Sequence, residues 1–366
     1  MARRPGNDHT KDGMMTRSPE YDALLSLSAR IGADPALVQG AGGNTSIKED
    51  GTLWIKASGL WLRDALARDL MVPVALEPLL DALRCGDPST ERPQTYVIED
   101  RNPGGLRPSI ETTMHALLSP KVVVHVHCVD TIAHAVQVDG ETLVAERLAG
   151  LPYAFVPYAR PGLPLTQAIM RRIDADTRIL VLGNHGLTVA GETVADAEAL
   201  LGEVRRRLTL TARAVVAPDI GSLERLAVGS AYRPPSDPAA HGVATDPVSC
   251  RHAGGGSLYP DHVIFLGEGS VIAQPGESGL DVERRFGATG LPLPPTILFP
   301  GKGVLVSTTI SEGALAMARC LSDVTARLPE TARLRYFTDP ENAELLGWDA
   351  EKYRQALNAS LDGGRR

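Results

Sequence analysis

Two histidines stand two residues apart inside a valine-rich run near the middle of the chain. The run reads "VVVHVHCVD" over residues 122–130, and its β-branched composition predicts a buried strand. Successive side chains of a strand point to opposite faces, so His125 and His127 project together from one face. Two such imidazoles either make hydrogen bonds in the core or bind a metal ion, because neutral imidazole is a common metal ligand. A third ligand elsewhere in the chain would favour the metal.

A third imidazole and a carboxylate are candidates to complete such a set. His185 lies between glycines in "LVLGNHGLTV", at the end of a hydrophobic strand where a turn can expose it. Glu111, in "RPSIETTMH", lies at the start of a predicted helix, where the helix dipole favours a carboxylate, so it either takes part in catalysis or only caps the helix. Three neutral imidazoles with a nearby carboxylate suit Zn²⁺ or a similar divalent ion, since a catalytic ion needs three protein ligands and an open position.

Two glycine-rich segments, "GAGGNTS" and "KASG", offer backbone N–H groups and short hydroxyls that could hold an anion. Lys56 opens the second segment, and we interpret it as the solvated end of a strand. Arg160, in "VPYARPGLPL", could bind an anion through its planar guanidinium, and a surface ion pair is an equal alternative.

The composition of the chain excludes several classes of protein. The 366 residues carry a formal net charge of -7, which argues against a general nucleic-acid or anionic-membrane binder. No apolar run reaches the length of a membrane span. The four cysteines are far apart and form no CxxC motif, which favours free thiols in a reducing, cytoplasmic location. No GxGxxG motif follows a strand, so a dinucleotide site has no support.

The order of predicted elements indicates an α/β or α+β domain with loops gathered around one sheet. Predicted helices cover 19–32, parts of 60–84, the segment after Ser109, 129–136, "ERLAGL", "PLTQAIMRRI" and 193–215. Predicted strands cover 46–48, 53–56, 121–127, "YAFVPY" and two segments of "RILVLGNHGLTVAG". Beyond residue 256 we expect strands in "DHVIFLG" and "SVIA", a hairpin over 296–307, a helix capped by Ser311 and a final helix over 341–357.

These elements divide the chain into four predicted regions. We expect a disordered leader at 1–18, a catalytic domain at 19–216, a linker or excursion at 217–256, and a smaller α+β extension at 257–366 that packs on the catalytic domain.

Five segments in a fixed order resemble the class II aldolase/adducin family: "GGNTS", "KASG", "PSIE", "HVH" and "GNHGL". Fuculose and rhamnulose phosphate aldolases and ribulose-phosphate 4-epimerase are its best-known members. The chain beyond residue 255 resembles the extension in the aldolase module of bifunctional aldolase/dehydrogenases of the rhamnulose type. The resemblance implies a three-layer αβα domain around a mainly antiparallel sheet. It also implies a homotetramer with the active site between subunits.

The same resemblance implies roles for individual residues. His125, His127 and His185 would bind the metal, and Glu111 would be the catalytic acid/base. The phosphate- or carboxylate-holding loops would contain Asn44, Thr45, Ser58, Gly59 and Ser109.

The sequence departs from the family pattern at two places. Ile110 stands where family aldolases often have a second hydroxyl residue before the acid, and no tyrosine occurs between His127 and Tyr153. We therefore expect a divalent metal, most readily Zn²⁺ with Mn²⁺ or Co²⁺ as alternatives, and retro-aldol cleavage of a ketose phosphate or related hydroxy-keto acid through an enediolate. An epimerase or a 3-oxo-acid decarboxylase is the alternative, and a non-catalytic adducin-like scaffold is a further one.

Overall fold

A computed structural model describes residues 17–347 of the chain. Most of the predicted leader at 1–18 and the second part of the predicted helix at 341–357 lie outside these residues. The first half of the described chain builds a seven-stranded mixed sheet with helices on both faces, and a smaller four-stranded sheet with further helices follows it. The predicted α/β class with a smaller α+β extension is therefore confirmed.

The larger sheet is antiparallel except at one edge. Its strands are β1 (Asn44–Glu49), β2 (Thr52–Lys56), β3 (Met71–Ala75), β4 (Val122–Val126), β5 (Tyr153–Val156), β6 (Ile179–Leu182) and β7 (Gly186–Gly191). Their spatial order is β3-β2-β1-β4-β7-β6-β5, and among these strands only β5 and β6 pair in parallel.

The register of β1, β4 and β7 brings Asn44 and the histidine motifs to one end of the sheet. Asn44 at the start of β1 pairs with His125 near the end of β4. Because β7 also runs antiparallel to β4, its first residues pair with the last residues of β4, and Val126 lies opposite Leu187. The residue that precedes β7 is His185. The strand order thus brings both histidine motifs to the same edge.

Helices cover both faces of this sheet. They are α1 (Pro19–Ala33), α2 (Leu76–Cys85), α3 (Thr112–Leu117), α4 (Val129–Ala135), α5 (Gly140–Arg147), α6 (Leu163–Met170) and α7 (Val194–Leu208). Side chains of α1 and α7 share one apolar cluster with Val122 and Val124, whereas α3 and α6 share another with Val123. Because successive side chains of β4 point to opposite faces of the sheet, helices pack on both faces and the domain has three layers.

Two boundaries in this half differ from the prediction. The segment 60–84 contains β3, an edge strand whose Pro73 pairs with Trp54. Proline cannot donate a ladder hydrogen bond and is confined to such edges, which hides the strand in the sequence. Helix α7 ends at Leu208 instead of residue 215. The backbone N–H of Leu210 donates outside the helix, to Asp130 Oδ1 at 3.0 Å.

The chain after α7 forms a second unit with its own sheet. Its helices are α8 (Ile220–Ala227), α9 (Gly242–Thr245), α10 (Pro247–Gly254), α11 (Pro260–Leu266), α12 (Gly279–Thr289), α13 (Glu312–Thr325) and α14 (Asp339–Gly347). Its strands are β8 (Tyr232–Arg233), β9 (Val271–Ile272), β10 (Thr296–Phe299) and β11 (Gly303–Ser307), in the order β8-β11-β10-β9. The predicted hairpin over 296–307 and the Ser311 cap are confirmed, since β10 and β11 pair antiparallel and Ser311 Oγ accepts from Ala314 N.

Two segments of this unit differ from the expectation. The region 217–256, expected to be a linker or an excursion, forms helices α8, α9 and α10 and buries side chains such as Leu223 and Val243. The segment "DHVIFLG" is helix α11 rather than a strand. A short apolar run fits either structure; here Pro260 at the first helical position and Gly267 with a φ of 91° after the last decide for the helix.

Among residues 17–347, none of the helices combines the length and the apolar character that crossing a membrane requires.

Candidate active site

Three imidazoles meet at the edge where β4 ends and β7 begins. The ring centroids of His125, His127 and His185 lie 5.0–5.2 Å from one another, and one nitrogen of each lies within 4.8 Å of the others. His125 is fully buried, whereas His127 and His185 are 6% and 5% exposed and line a cavity. The tight turn before β7 carries His185 inward, with Asn184 in a left-handed conformation at φ 51°.

Glycines allow this close approach of the loops. A Cβ on Gly186 would lie 2.6 Å from the carbonyl oxygen of Val126. A Cβ on Gly42 would lie 2.8 Å from His127 Nδ1. Real Cβ atoms do not approach this closely, so both positions require glycine for the ring of His127 and the start of β7 to lie where they do.

His125 and His185 are neutral at neutral pH. Burial lowers the pKa of His125 to about 4 and that of His185 to about 3, although Glu111 partly opposes the shift in both. The Nδ1 of His125 lies 3.1 Å from both the carbonyl oxygen of Leu187 and the hydroxyl of Thr188, which fixes its proton on that nitrogen. The Nε2 atom then carries a lone pair, the form that a metal ligand requires.

Glu111 completes this cluster from the side of α3. Its Oε2 accepts a 2.8 Å hydrogen bond from Asn44 Nδ2 and lies 3.5 Å from His125 Nε2, and its Oε1 lies 3.5 Å from His185 Nε2. Glu111 occupies the N-cap position of α3 but makes no side-chain cap hydrogen bond, which argues against the capping alternative. Burial raises the pKa of its carboxyl, but His125 and His185 and the amide of Asn44 outweigh burial and hold it below its usual range.

The residues fit a divalent cation. His125 Nε2 and Glu111 Oε1 are buried without a hydrogen-bond partner among the described residues, and both belong to the cluster. Unsatisfied buried polar atoms are unfavourable unless something binds them. Three imidazoles and a carboxylate form the donor set of a borderline metal ion such as Zn²⁺.

A cavity opens beside the imidazoles and contains most of the predicted substrate-binding residues. They are Asn44, Ser58, Gly59 and Ser109, together with Ile110 at the predicted departure from the family pattern. Ser109 Oγ accepts hydrogen bonds from Asn44 Nδ2 at 3.1 Å and from the backbone N–H of Glu111 at 3.2 Å. Ser109 thus shares one hydrogen-bonded network with Asn44 and the acid.

Two predicted substrate-binding residues lie elsewhere. Thr45 follows Asn44 on β1 and faces the opposite side of the sheet, where its hydroxyl bonds that of Ser28 at 2.7 Å. Arg160 forms ion pairs with Glu91 at 2.6 Å and Glu344 at 2.9 Å, so these contacts favour the ion-pair alternative.

Two lining residues were not predicted for the site. Lys56, interpreted as a solvated strand end, is only 2% exposed and lines the cavity, with Nζ 2.8 Å from the carbonyl oxygen of Ala41. Asp261, on helix α11, also lines the cavity, with Oδ2 2.9 Å from His127 Nδ1. The pairing of Lys56 with the "SG" that follows it was a usable signal, whereas the assignment of a strand to the Asp261 segment concealed the carboxylate.

Known proteins resemble this chain in sequence and in structure. The family model of the class II aldolase and adducin N-terminal domain matches residues 23–211. The uncharacterized oxidoreductase YuxG of Bacillus subtilis is 30% identical over 187 residues, which are 47% of this chain and 26% of that protein, so the chain spans about a quarter of its relative. A solved N-terminal class II aldolase domain from Thermoplasma acidophilum is 25% identical, with a TM-score of 0.46, over 57% of this chain and 98% of that one.

An L-fuculose-1-phosphate aldolase from Thermus thermophilus is 18% identical, with a TM-score of 0.35, over 52% of this chain and 92% of that one. The family match covers more than half of the chain and contains the three histidines and Glu111. The chain therefore belongs to the class II aldolase and adducin N-terminal domain family.

Proposed function

We propose that this protein is a metal-dependent aldolase that cleaves a ketose phosphate or a related hydroxy-keto acid. The observation that carries the proposal is the cluster of His125, His127 and His185, whose ligand atoms lie within 4.8 Å of one another beside Glu111. A binding scaffold without chemistry has no need of three buried imidazoles and an acid at the edge of a polar cavity.

The three imidazoles would hold a divalent ion, most readily Zn²⁺, with Mn²⁺ and Co²⁺ as alternatives. When bound, such an ion supplies Lewis-acid polarisation of a substrate carbonyl. His125 and His185 are suited to this because burial lowers their pKa values and keeps both imidazoles neutral at neutral pH.

The part of the cavity lined by Lys56, Ser58 and Ser109 is suited to an anionic group. Lys56 provides an ammonium group, and Ser58 and Ser109 provide hydroxyls that can donate to phosphate or carboxylate oxygens. The amide of Asn44 links this side to the acid through its bonds to Ser109 and Glu111. Ile110 takes one hydroxyl away from the usual family set, so a carboxylate is as good a candidate as a phosphate.

Glu111 would move the proton. As a carboxylate it accepts the proton of the substrate hydroxyl next to the bond that breaks, and that oxygen becomes the carbonyl of the departing aldehyde. The electron pair of the broken carbon–carbon bond stays on the other fragment. Glu111 then returns the proton to that carbon, so the cycle ends with the residue as it began.

An epimerase or a 3-oxo-acid decarboxylase is the second candidate, because both reactions pass through a similar carbanion. One observation favours keeping it: the cavity lining among residues 17–347 includes no tyrosine that could protonate a leaving group. The homotetramer with active sites between subunits and the cytoplasmic location also stay predictions.

The test removes the metal with a chelator and restores Zn²⁺, Mn²⁺ or Co²⁺ in turn. Each form is incubated with ketose 1-phosphates, hydroxy-keto acids and 3-oxo acids, and the release of aldehyde and of CO₂ is measured. We expect aldehyde release that is lost on chelation and restored by metal. Glu111→Gln should retain metal and lose turnover by about 10²–10⁴-fold, the usual contribution of a general acid–base group.

A pair of histidine variants provides the matched control. His127→Ala should lose most of the bound metal, whereas His134→Gln, which replaces another buried imidazole away from the cluster, should keep it. CO₂ release without aldehyde would replace the aldolase by the decarboxylase, and full metal occupancy in His127→Ala would refute the metal centre.

A further inference from the structure

A second buried carboxylate faces the histidine cluster from the C-terminal unit. Asp261 Oδ2 lies 2.9 Å from His127 Nδ1, and the two side chains are only 4% and 8% exposed. Asp261 is the second residue of α11 and lies outside residues 23–211, which the family model matches. One side of the candidate metal centre is therefore built by a part of the chain that the family domain does not contain.

The contact favours one tautomer of His127. A carboxylate oxygen 2.9 Å from Nδ1 stabilises a proton on that nitrogen, which leaves the lone pair on Nε2. His125 is in the same state for a different reason, because its Nδ1 faces the carbonyl oxygen of Leu187 and the hydroxyl of Thr188. A carboxylate behind a ligating imidazole fixes the ring and raises the basicity of the nitrogen that binds the metal.

The surrounding contacts hold Asp261 at this distance. Asn184, next to His185, donates from Nδ2 to the carbonyl oxygens of Leu258 at 2.9 Å and Arg335 at 2.7 Å. The N–H of Leu258 in turn donates to Nδ1 of the buried His262 in α11. The turn that carries His185 and the helix that carries Asp261 are thus tied together on the two sides of the cavity.

We propose that Asp261 is a positioning residue that orients His127 as a metal ligand, so that the C-terminal unit completes the centre. The inference rests on the proposed binding of a divalent ion by the three histidines. An acidic residue in the first turn of a helix also favours the helix dipole. That role needs no imidazole at 2.9 Å, and a control variant can separate the two.

The experiment measures metal affinity in the absence of substrate. Metal-free protein is titrated with Zn²⁺ in competition with a chromophoric chelator, and with Co²⁺ while its visible absorption is recorded. Asp261→Asn should weaken affinity about 10–100-fold and alter the Co²⁺ spectrum, as loss of such outer contacts does at metal sites. Asp261→Glu, which keeps the charge, should recover part of the loss.

Asp246→Asn is the matched control. Asp246 is another buried carboxylate of the same unit, caps α10 and pairs with Arg213 at 2.6 Å, so its loss tests for general destabilisation and for loss of a helix-end charge. It should leave metal affinity and the Co²⁺ spectrum unchanged. If Asp261→Asn does not fold, as judged by circular dichroism, the shorter Asp261→Ser takes its place with the same expected loss.

The outcomes separate this inference from the proposed function. If the unaltered protein binds neither ion, the metal centre itself is refuted. If it binds them, and Asp261→Asn binds within about twofold with an unchanged Co²⁺ spectrum, only the positioning role of Asp261 is overturned.

Discussion

Lys56 is only 2% exposed and places its ammonium group at the cavity, where Nζ lies 2.8 Å from the carbonyl oxygen of Ala41. Lys56 lies on the side of the cavity formed by Ser58 and Ser109. We expect Lys56→Met, which keeps most of the apolar stem, to weaken binding of inorganic phosphate or acetate roughly 10–100-fold, since a hydrogen bond to a charged group contributes about 1.5–3 kcal/mol. Isothermal titration measures this directly.

Lys48→Met is the control for this substitution. Lys48 is also a partly buried lysine, but its Nζ donates to the carbonyl oxygens of Leu118 and Pro120 outside the cavity. Anion binding that falls equally in both variants would assign the effect of Lys56→Met to lost stability. Anion binding that survives in Lys56→Met would return Lys56 to a structural role.

At the residue scale, the sequence predicts side chains whose direction follows from local geometry. His125 and His127 share a face because strands alternate, and the same rule removes Thr45 from the site once Asn44 is known to face it. Lys56, expected as the solvated end of a strand, is buried at the cavity, and Arg160, for which an anion contact and an ion pair were equal alternatives, forms ion pairs. The fate of a charged side chain depends on partners distant in sequence, such as Glu344 for Arg160, which no local pattern reveals.

At the scale of elements, the glycine loop before β1 supports the ring of His127 from behind. Gly42→Ala would bring a methyl group to 2.8 Å from His127 Nδ1 and to 3.0 Å from the carbonyl oxygen of Gln39. The carbonyl oxygen belongs to the backbone and cannot move freely. We expect this variant to lose at least tenfold in Zn²⁺ affinity by chelator competition, because the ring must turn to relieve the clash. Gly202→Ala provides the comparison.

Gly202 lies in the middle of α7, and a Cβ there would meet no atom within 4 Å. Its replacement should leave metal affinity unchanged and raise stability by about 0.5–1 kcal/mol, as alanine does in a helix interior. If Gly42→Ala binds Zn²⁺ as tightly as Gly202→Ala, the loop that contains Gly42 accommodates the methyl group and does not position His127.

The elements most easily missed are those whose identity depends on context. β3 contains a proline that only an edge strand tolerates, and α11 reads as a strand by composition although Pro260 and Gly267 mark the ends of a helix. The second of these errors affected the prediction of the site, because it assigned Asp261 to a strand instead of a helix. The hairpin of β10 and β11 was predictable because its turn chemistry is local.

For the whole molecule, the buried histidines couple stability to pH. Burial lowers the pKa of His134 and His262 to about 4, whereas in the unfolded chain the value is about 6.5. Between these two pH values the unfolded state binds more protons. The free energy of unfolding is therefore unaffected by these groups above pH 6.5 and falls as the pH decreases from about 6.5 to about 4.

His134 allows a direct test of this coupling. Its Nε2 lies 3.0 Å from the carbonyl oxygen of Leu208, and the side-chain amide of glutamine can donate to the same oxygen without titrating. The free energy of unfolding of the metal-free protein is measured by urea unfolding at pH 7.5, 6.0 and 5.0. Between pH 7.5 and pH 5.0 it should fall by roughly 1–3 kcal/mol less in His134→Gln than in the unaltered protein. Lys121→Gln, which removes a partly buried ion pair with Glu49, should keep the original slope. Parallel pH curves for His134→Gln and the unaltered protein would mean that His134 contributes nothing to the acid sensitivity, and the loss of stability would then have to come from other buried groups.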